Sequence, residues 1–195
     1  MSYVIVDVES DGPIPAEFSM VCFGAVIFDD LLDKTFYGRT RPISERFDPE
    51  ALAVSGFSRE QHLAFEEPKT VMETFAVWLE EHAKGRPVFV SDNPAYDWQF
   101  INYYFHRFLG RNPFGFSARR IGDLYAGLVK DASKGTEWKK YRVTAHTHTS
   151  HHEGFHARWR NPARPCQRRF GPLKRCLELE SPGQCLHEKR VGIAL

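Results

Sequence analysis

The stretch Tyr3-Val4-Ile5-Val6-Asp7-Val8-Glu9 decides how this chain is read. Tyr3 to Val8 is a short β-branched run, the composition of a buried strand. Alternate residues of a strand point to one face, so Asp7 and Glu9 lie side by side. Two carboxylates at the end of an apolar strand repel each other and lose hydration. A divalent cation removes both penalties, and hard cations such as Mg²⁺ prefer carboxylate oxygen. By spacing alone, two exposed acids where a strand leaves its sheet are the simpler explanation.

Outward from this strand, Asp11-Gly12-Pro13-Ile14-Pro15 breaks the run. Met20 to Phe28 reads as a second strand and Lys34 to Arg41 as a third, with Gly38 as a weak point. The short spacers predict an antiparallel meander. Asp48-Pro49 has the pattern of an N-cap followed by proline at the first helical position. Lys69 to Ala83 is a helix with Val71, Phe75 and Leu79 on one stripe, ended by Gly85. Val88-Phe89-Val90 is a further short strand. Ala95 to Leu109 is a second helix whose face carries Phe100, Ile101, Tyr104, Phe105 and Phe108, closed by Gly110 and Pro113. Ile121 to Lys130 reads as a strand end running into a helix. Strands first, then helices alternating with strands, predict an α/β domain with a mixed sheet.

Asn93-Pro94-Ala95-Tyr96-Asp97 follows the strand at Val88. Asp97 falls in the first turn of the next helix, where an acid complements the helix dipole, and Asn93 is placed to cap it. Asp92 is a neighbouring carboxylate that could be mistaken for it. Farther on, His146, His148, His151, His152 and His156 cluster, with Glu153 five positions after His148. A histidine beside a metal-bound water can act as general base because its pKa lies near neutrality. Clustered histidines also bind metals adventitiously.

The totals set bounds. A chain of 195 residues suits one domain. Net charge is +1, but residues 149–195 carry nine Arg and Lys against four Glu, while the remainder has 17 basic and 21 acidic residues. The acidic body suits an enzyme that collects divalent cations. The basic segment could lie along a phosphate backbone or be merely solvated. After His148 apolar periodicity fades, and Pro162, Pro165, Pro172 and Pro182 forbid one long helix. No apolar run approaches the roughly 20 residues of a membrane span. The N-terminus lacks a basic signal region, so a cytoplasmic protein with free thiols is expected. Cys166, Cys176, Cys185 and His187 could form a zinc module, but no close Cys-x-x-Cys pair supports it.

Asp7-x-Glu9, Asn93-x-x-x-Asp97 and a late His followed by an acid resemble the three motifs of the DEDD superfamily of 3′-to-5′ exonucleases. That group includes ribonuclease T, oligoribonuclease and the proofreading subunit of DNA polymerase III. Tyr96 before Asp97 fits the family's aromatic-Asp habit, and Val143 to His148 is similar to the approach to the third motif in the histidine-type branch. The resemblance covers about residues 3 to 148. It implies a ribonuclease H-like mixed sheet flanked by helices over residues 1–148, followed by a divergent, irregular basic segment over 149–195. It also implies two Mg²⁺ or Mn²⁺ ions held by Asp7, Glu9, Asp97 and Glu153, with His148 as general base and His146 competing for that role. The substrate implied is the 3′ end of single-stranded RNA or DNA, with RNA slightly favoured. Glu9 would touch the terminal 3′-hydroxyl, and a homodimer is one assembly seen among relatives. The family's third motif carries Asp where this chain has Glu153, and the residues around it depart from the family. That change fits either a loss of hydrolysis, leaving a nucleic-acid-binding relative, or a shifted reading frame. Cys22 and Phe23 are positioned to pack on a terminal base but are more simply core. Asn102, Tyr103 and Tyr104 read as core or helix surface, and Asp123 as an acid near the site or an exposed helix-start acid.

Overall fold

The computed structural model describes residues 1–141. A five-stranded sheet has the order β3-β2-β1-β4-β5. β1 (Ser2–Ser10), β2 (Met20–Ile27) and β3 (Thr35–Arg39) form the expected antiparallel meander. β4 (Pro87–Ser91) and β5 (Ala118–Arg120) add in parallel on the other side of β1. Central strands β1 and β2 are the most apolar, and all of β2 is buried.

Helices cover both faces. α3 (Pro68–His82) and α4 (Pro94–Leu109) pack on one face, where Val4, Val6, Val8, Phe23 and Phe89 meet Phe75, Leu79, Phe100, Tyr104 and Phe105. Phe75 lies at the centre of this layer, with ring centroids 4.9 Å from Phe23, 4.8 Å from Phe36 and 5.6 Å from Phe105. α5 (Ile121–Val129) covers the other face, where Ile121 and Tyr125 join Ile5, Val26, Val90 and Trp138. α1 (Pro49–Val54) and α2 (Arg59–Leu63) lie beyond β3 in sequence, and Leu52 packs against Val21 and Cys22.

The ends of these helices follow local chemistry. Asp48 caps α1 by accepting from the amides of Glu50 and Ala51, with Pro49 at its first turn. Ser58 and Gln61 form a reciprocal capping box on α2, a short helix the periodicity does not announce. Gly110 adopts φ of 70° and ends α4 as expected. α3 instead ends at Ala83, and Gly85 turns the chain two residues later with φ of 75°. Asn93 makes no side-chain cap on α4; its carbonyl accepts the amides of Tyr96 and Asp97 instead. The stretch from Ile121, read as a strand end running into a helix, is helical from its first residue, and the strand Ala118–Arg120 stops just before it. Gly38 is a packing requirement: a Cβ there would stand 2.7 Å from both Phe23 and Val71, so α3 could not approach the sheet. Among the described residues, no helix is long and apolar enough to cross a membrane.

Phe75→Ala would remove the ring around which this layer packs. It is expected to destabilise the fold by roughly 3–5 kcal/mol, read as a lower urea midpoint with an unchanged slope.

Candidate active site

The site forms where β1 outruns its parallel neighbour. β1 and β4 pair from Ser2 opposite Pro87 to Ile5 opposite Val90, and then β4 turns away. β1 continues to Ser10, paired only with β2 beyond that point, Asp7 opposite Gly24 and Glu9 opposite Cys22. Its backbone on the departed side needs another partner. The N-terminus of α4 supplies one: Asp97 Oδ1 accepts the amide of Val8 at 3.1 Å. Val8 is the residue between Asp7 and Glu9, so the carboxylate from the second motif docks on the backbone of the first. The structure therefore brings Asp7, Glu9 and Asp97 to one end of the sheet, although 88 residues separate Glu9 from Asp97 in the sequence. 

The electrostatics follow from burial. Asp97 is 4% exposed, and its pKa is pushed up to about 8, first by loss of hydration and then by the Asp7 charge. The hydrogen bond from the Val8 amide offsets only part of this. Asp7 and Glu9 are half-buried on the adjoining strand face. Tyr96 is pushed up as well, mainly by burial, with the charges of Glu9, Asp97 and Asp11 adding to it. Its hydroxyl contacts Ser10 Oγ, which donates to the carbonyl of Gly12 at 2.5 Å. Cys22 sits opposite Glu9, but burial drives its thiol to about 12, with Tyr37 lowering it and the nearby Glu9 and Asp7 charges raising it further. A thiol held so high is no nucleophile.

The donor set suits a hard divalent cation in kind: it is made of carboxylates, and burial together with the Asp7 charge penalises the ionised form of Asp97, a penalty a cation would relieve. Among the described residues, no three His, Cys, Asp or Glu side chains already stand at spacings that would hold an ion. One oxygen of Asp97 is committed to the Val8 amide.

Other expected residues fall as follows. Cys22 and Phe23 are fully buried core. Tyr104 is core, its hydroxyl accepting the Met20 amide at 2.8 Å, while Tyr103 lies at the helix surface under Arg107. Asn102 bonds Asn112. Asp123 is an exposed first-turn acid beside Arg120. Asp92 faces Lys139 at 3.5 Å, away from the Val8 amide that Asp97 occupies. His146, His148, Glu153 and the cysteine-rich segment lie outside the described residues.

Sequence reasoning missed a cluster next to the site. Asp11, read only as part of a break, is completely buried. Its Oδ2 accepts Arg59 Nη1 at 2.9 Å, and its Oδ1 accepts the amide of Ser19. Burial raises the Asp11 pKa despite these partners. His62, also buried, is lowered to about 4 by loss of hydration and by the Arg59 charge, so it is neutral beside Asp11 at 3.7 Å. No local pattern marks this group, because Arg59 and Asp11 are 48 residues apart.

Asp97 generates a pH prediction. Its folded pKa lies above its unfolded value of 3.8, so deprotonation costs stability as pH rises from about 4 to about 8. In chelator, Asp97→Asn is expected to be more thermostable than the parent at pH 8, with the difference shrinking toward pH 4. Thermal melts across that range would reveal an equal offset at both pH values if the buried acid carried no such cost.

No family model matches the chain. The 3′-5′ DNA exonuclease Cap18 of Escherichia coli is 44% identical over 130 residues, covering 65% of this chain and 68% of that protein. Escherichia coli exonuclease I in complex with a dA16 oligonucleotide is similar in fold, with TM-score 0.54 and 16% identity over 66% of this chain. The zinc-bound form of the same enzyme with single-stranded DNA gives TM-score 0.52 over 64% of this chain. This chain spans only 30% and 29% of those exonuclease I chains, and their likeness concerns the fold. The sheet order, the docking of Asp97 on the central strand between Asp7 and Glu9, and the identity to Cap18 agree: the chain belongs to the DEDD superfamily of 3′-to-5′ exonucleases.

Proposed function

We propose that this protein removes nucleotides from the 3′ end of single-stranded DNA by metal-dependent phosphodiester hydrolysis. The observation that carries the proposal is the docking of Asp97 on the Val8 amide, between Asp7 and Glu9. The DNA named for Cap18 and the oligonucleotides bound to exonuclease I support DNA over the RNA that the sequence slightly favours. In this reading Asp7, Glu9 and Asp97 hold two Mg²⁺ or Mn²⁺ ions. When bound, such ions lower the pKa of the attacking water and neutralise charge on the leaving oxygen.

The side chains do the rest. Asp97, fixed through Val8, keeps the acidic set in register with β1. Tyr96 and Ser10 hold the turn that follows Glu9 against α4. In this reading, drawn from the family resemblance, Glu9 contacts the terminal 3′-hydroxyl and His148 takes the proton of the attacking water. Glu153 completes the acidic set. Its extra methylene relative to Asp displaces the carboxylate by about a bond length, a shift large enough to slow a reaction that depends on alignment. That substitution is also what favours a second reading, a relative of the same fold that binds a nucleic-acid strand without cutting it.

A 5′-labelled single-stranded DNA incubated with Mg²⁺ is expected to shorten from its 3′ end, and chelation should stop it. Asp7→Ala should slow shortening by on the order of 10²–10³-fold, several kcal/mol of transition-state stabilisation. An Asp7→Ala protein as fast as the parent would sink the carboxylate assignment. A parent that binds the strand without shortening it would favour the second reading. An RNA of the same sequence should be degraded more slowly, and faster degradation of RNA would reverse the substrate preference.

A further inference from the structure

The buried Asp11–Arg59 pair lies outside the acidic set but immediately next to it. Asp11 follows Glu9 by two residues, just past the irregularity in β1 between Glu9 and Ser10. It ties three segments together. Its amide donates to Ser19 O at 2.9 Å, its carbonyl accepts Asp48 N at 2.7 Å, and its side chain takes Arg59 Nη1 at 2.9 Å. The other arm of Arg59 donates to Ser44 O at 3.0 Å, and the guanidinium lies 4.5 Å from the Phe47 ring centroid. A second tie joins the same walls: Arg46 pairs with Glu17 and stacks over Phe18. On its other side, the turn reaches α4. Ser10 Oγ bonds Gly12 O and contacts Tyr96, the residue before Asp97. Gln99 of the same helix donates to Pro13 O at 3.0 Å. The turn after Glu9 is therefore clamped between Arg59 on one side and the Asp97-bearing helix on the other.

We infer that Arg59 is a positioning residue for the metal-binding carboxylates, acting through Asp11 to hold the turn that sets Glu9 against Asp97. The inference rests on the ligand assignment proposed above. The physical reason is the zero exposure of the Asp11 side chain. A buried carboxylate that loses its guanidinium is left without its counter-charge, and the turn that carries it moves toward water. That movement disturbs residues 10–12, which adjoin Glu9 in the chain and touch Tyr96. Changes to groups that orient metal ligands commonly weaken ion affinity by about 10–100-fold.

The test uses the full chain and Mn²⁺ alone, with free Mn²⁺ followed by electron paramagnetic resonance well below each variant's melting temperature. Arg59→Gln is expected to weaken Mn²⁺ affinity by about tenfold or more. The double variant Asp11→Asn with Arg59→Gln, which removes both charges together, is expected to recover most of that loss. It also keeps the test open if Arg59→Gln alone folds poorly. Parent-like affinity in Arg59→Gln, with only the melting temperature lowered, would overturn the inference and leave a structural tie. A double variant as weak as a folded Arg59→Gln would overturn it as well, since the buried charge would not be the cause. Asp7→Ala serves as the reference: undiminished Mn²⁺ binding there overturns the ligand assignment itself, a result distinct from parent-like binding in Arg59→Gln alone.

Discussion

The structure turns on one hydrogen bond, from the Val8 amide to the Asp97 carboxylate. β1 extends past its last rung with β4, so its backbone needs a partner from outside the sheet. A helix N-terminus brings that partner, and it is an acid. Meeting a backbone requirement this way buries a carboxylate next to two others, at a cost visible in the raised pKa of Asp97. An arrangement unfavourable without a counter-charge becomes favourable with one, the usual condition of a site selected for binding rather than for stability.

The rest of the fold serves that junction. The aromatic layer around Phe75 presses α3 and α4 onto the sheet, and its tightness at Gly38 sets how close the helices come. With α4 held against the sheet by Phe100, Tyr104 and Phe105, its first turn has little freedom. Tyr104 reinforces this by accepting the amide that opens β2. On the far side of the site, Arg59 and Asp11 tie the turn after Glu9 to the segment leading into α1. The acids are thus supported from both directions, by α4 on one side and by the Asp11–Arg59 tie on the other.

Much of this was legible in the linear chain. The β-branched run at Tyr3, the aromatic stripe from Phe100 to Phe108 and the Asp48-Pro49 start are local patterns, and local backbone preferences follow them. The separation of strand from helix at Ile121 was less clear, because β5 is only three residues long and includes two arginines. Ser58 and Gln61 are a local capping signal, yet α2 is too short for any periodicity to stand out.

The sequence by itself determined which residue types lie where: paired acids on alternate positions of one strand, an acid in the first turn of a later helix, and the apolar faces that decide what goes inside. These are set by the two- and 3.6-residue repeats of strand and helix, which any short window displays. Only the tertiary structure decided that Asp97, rather than Asp92, reaches Val8, and that Asp11 is a buried partner of Arg59 rather than a loop acid. Both depend on where one strand stops pairing and on contacts between residues dozens of positions apart. Hydrogen-bond partners and dielectric surroundings are created by packing, and no stretch of chain carries them alone.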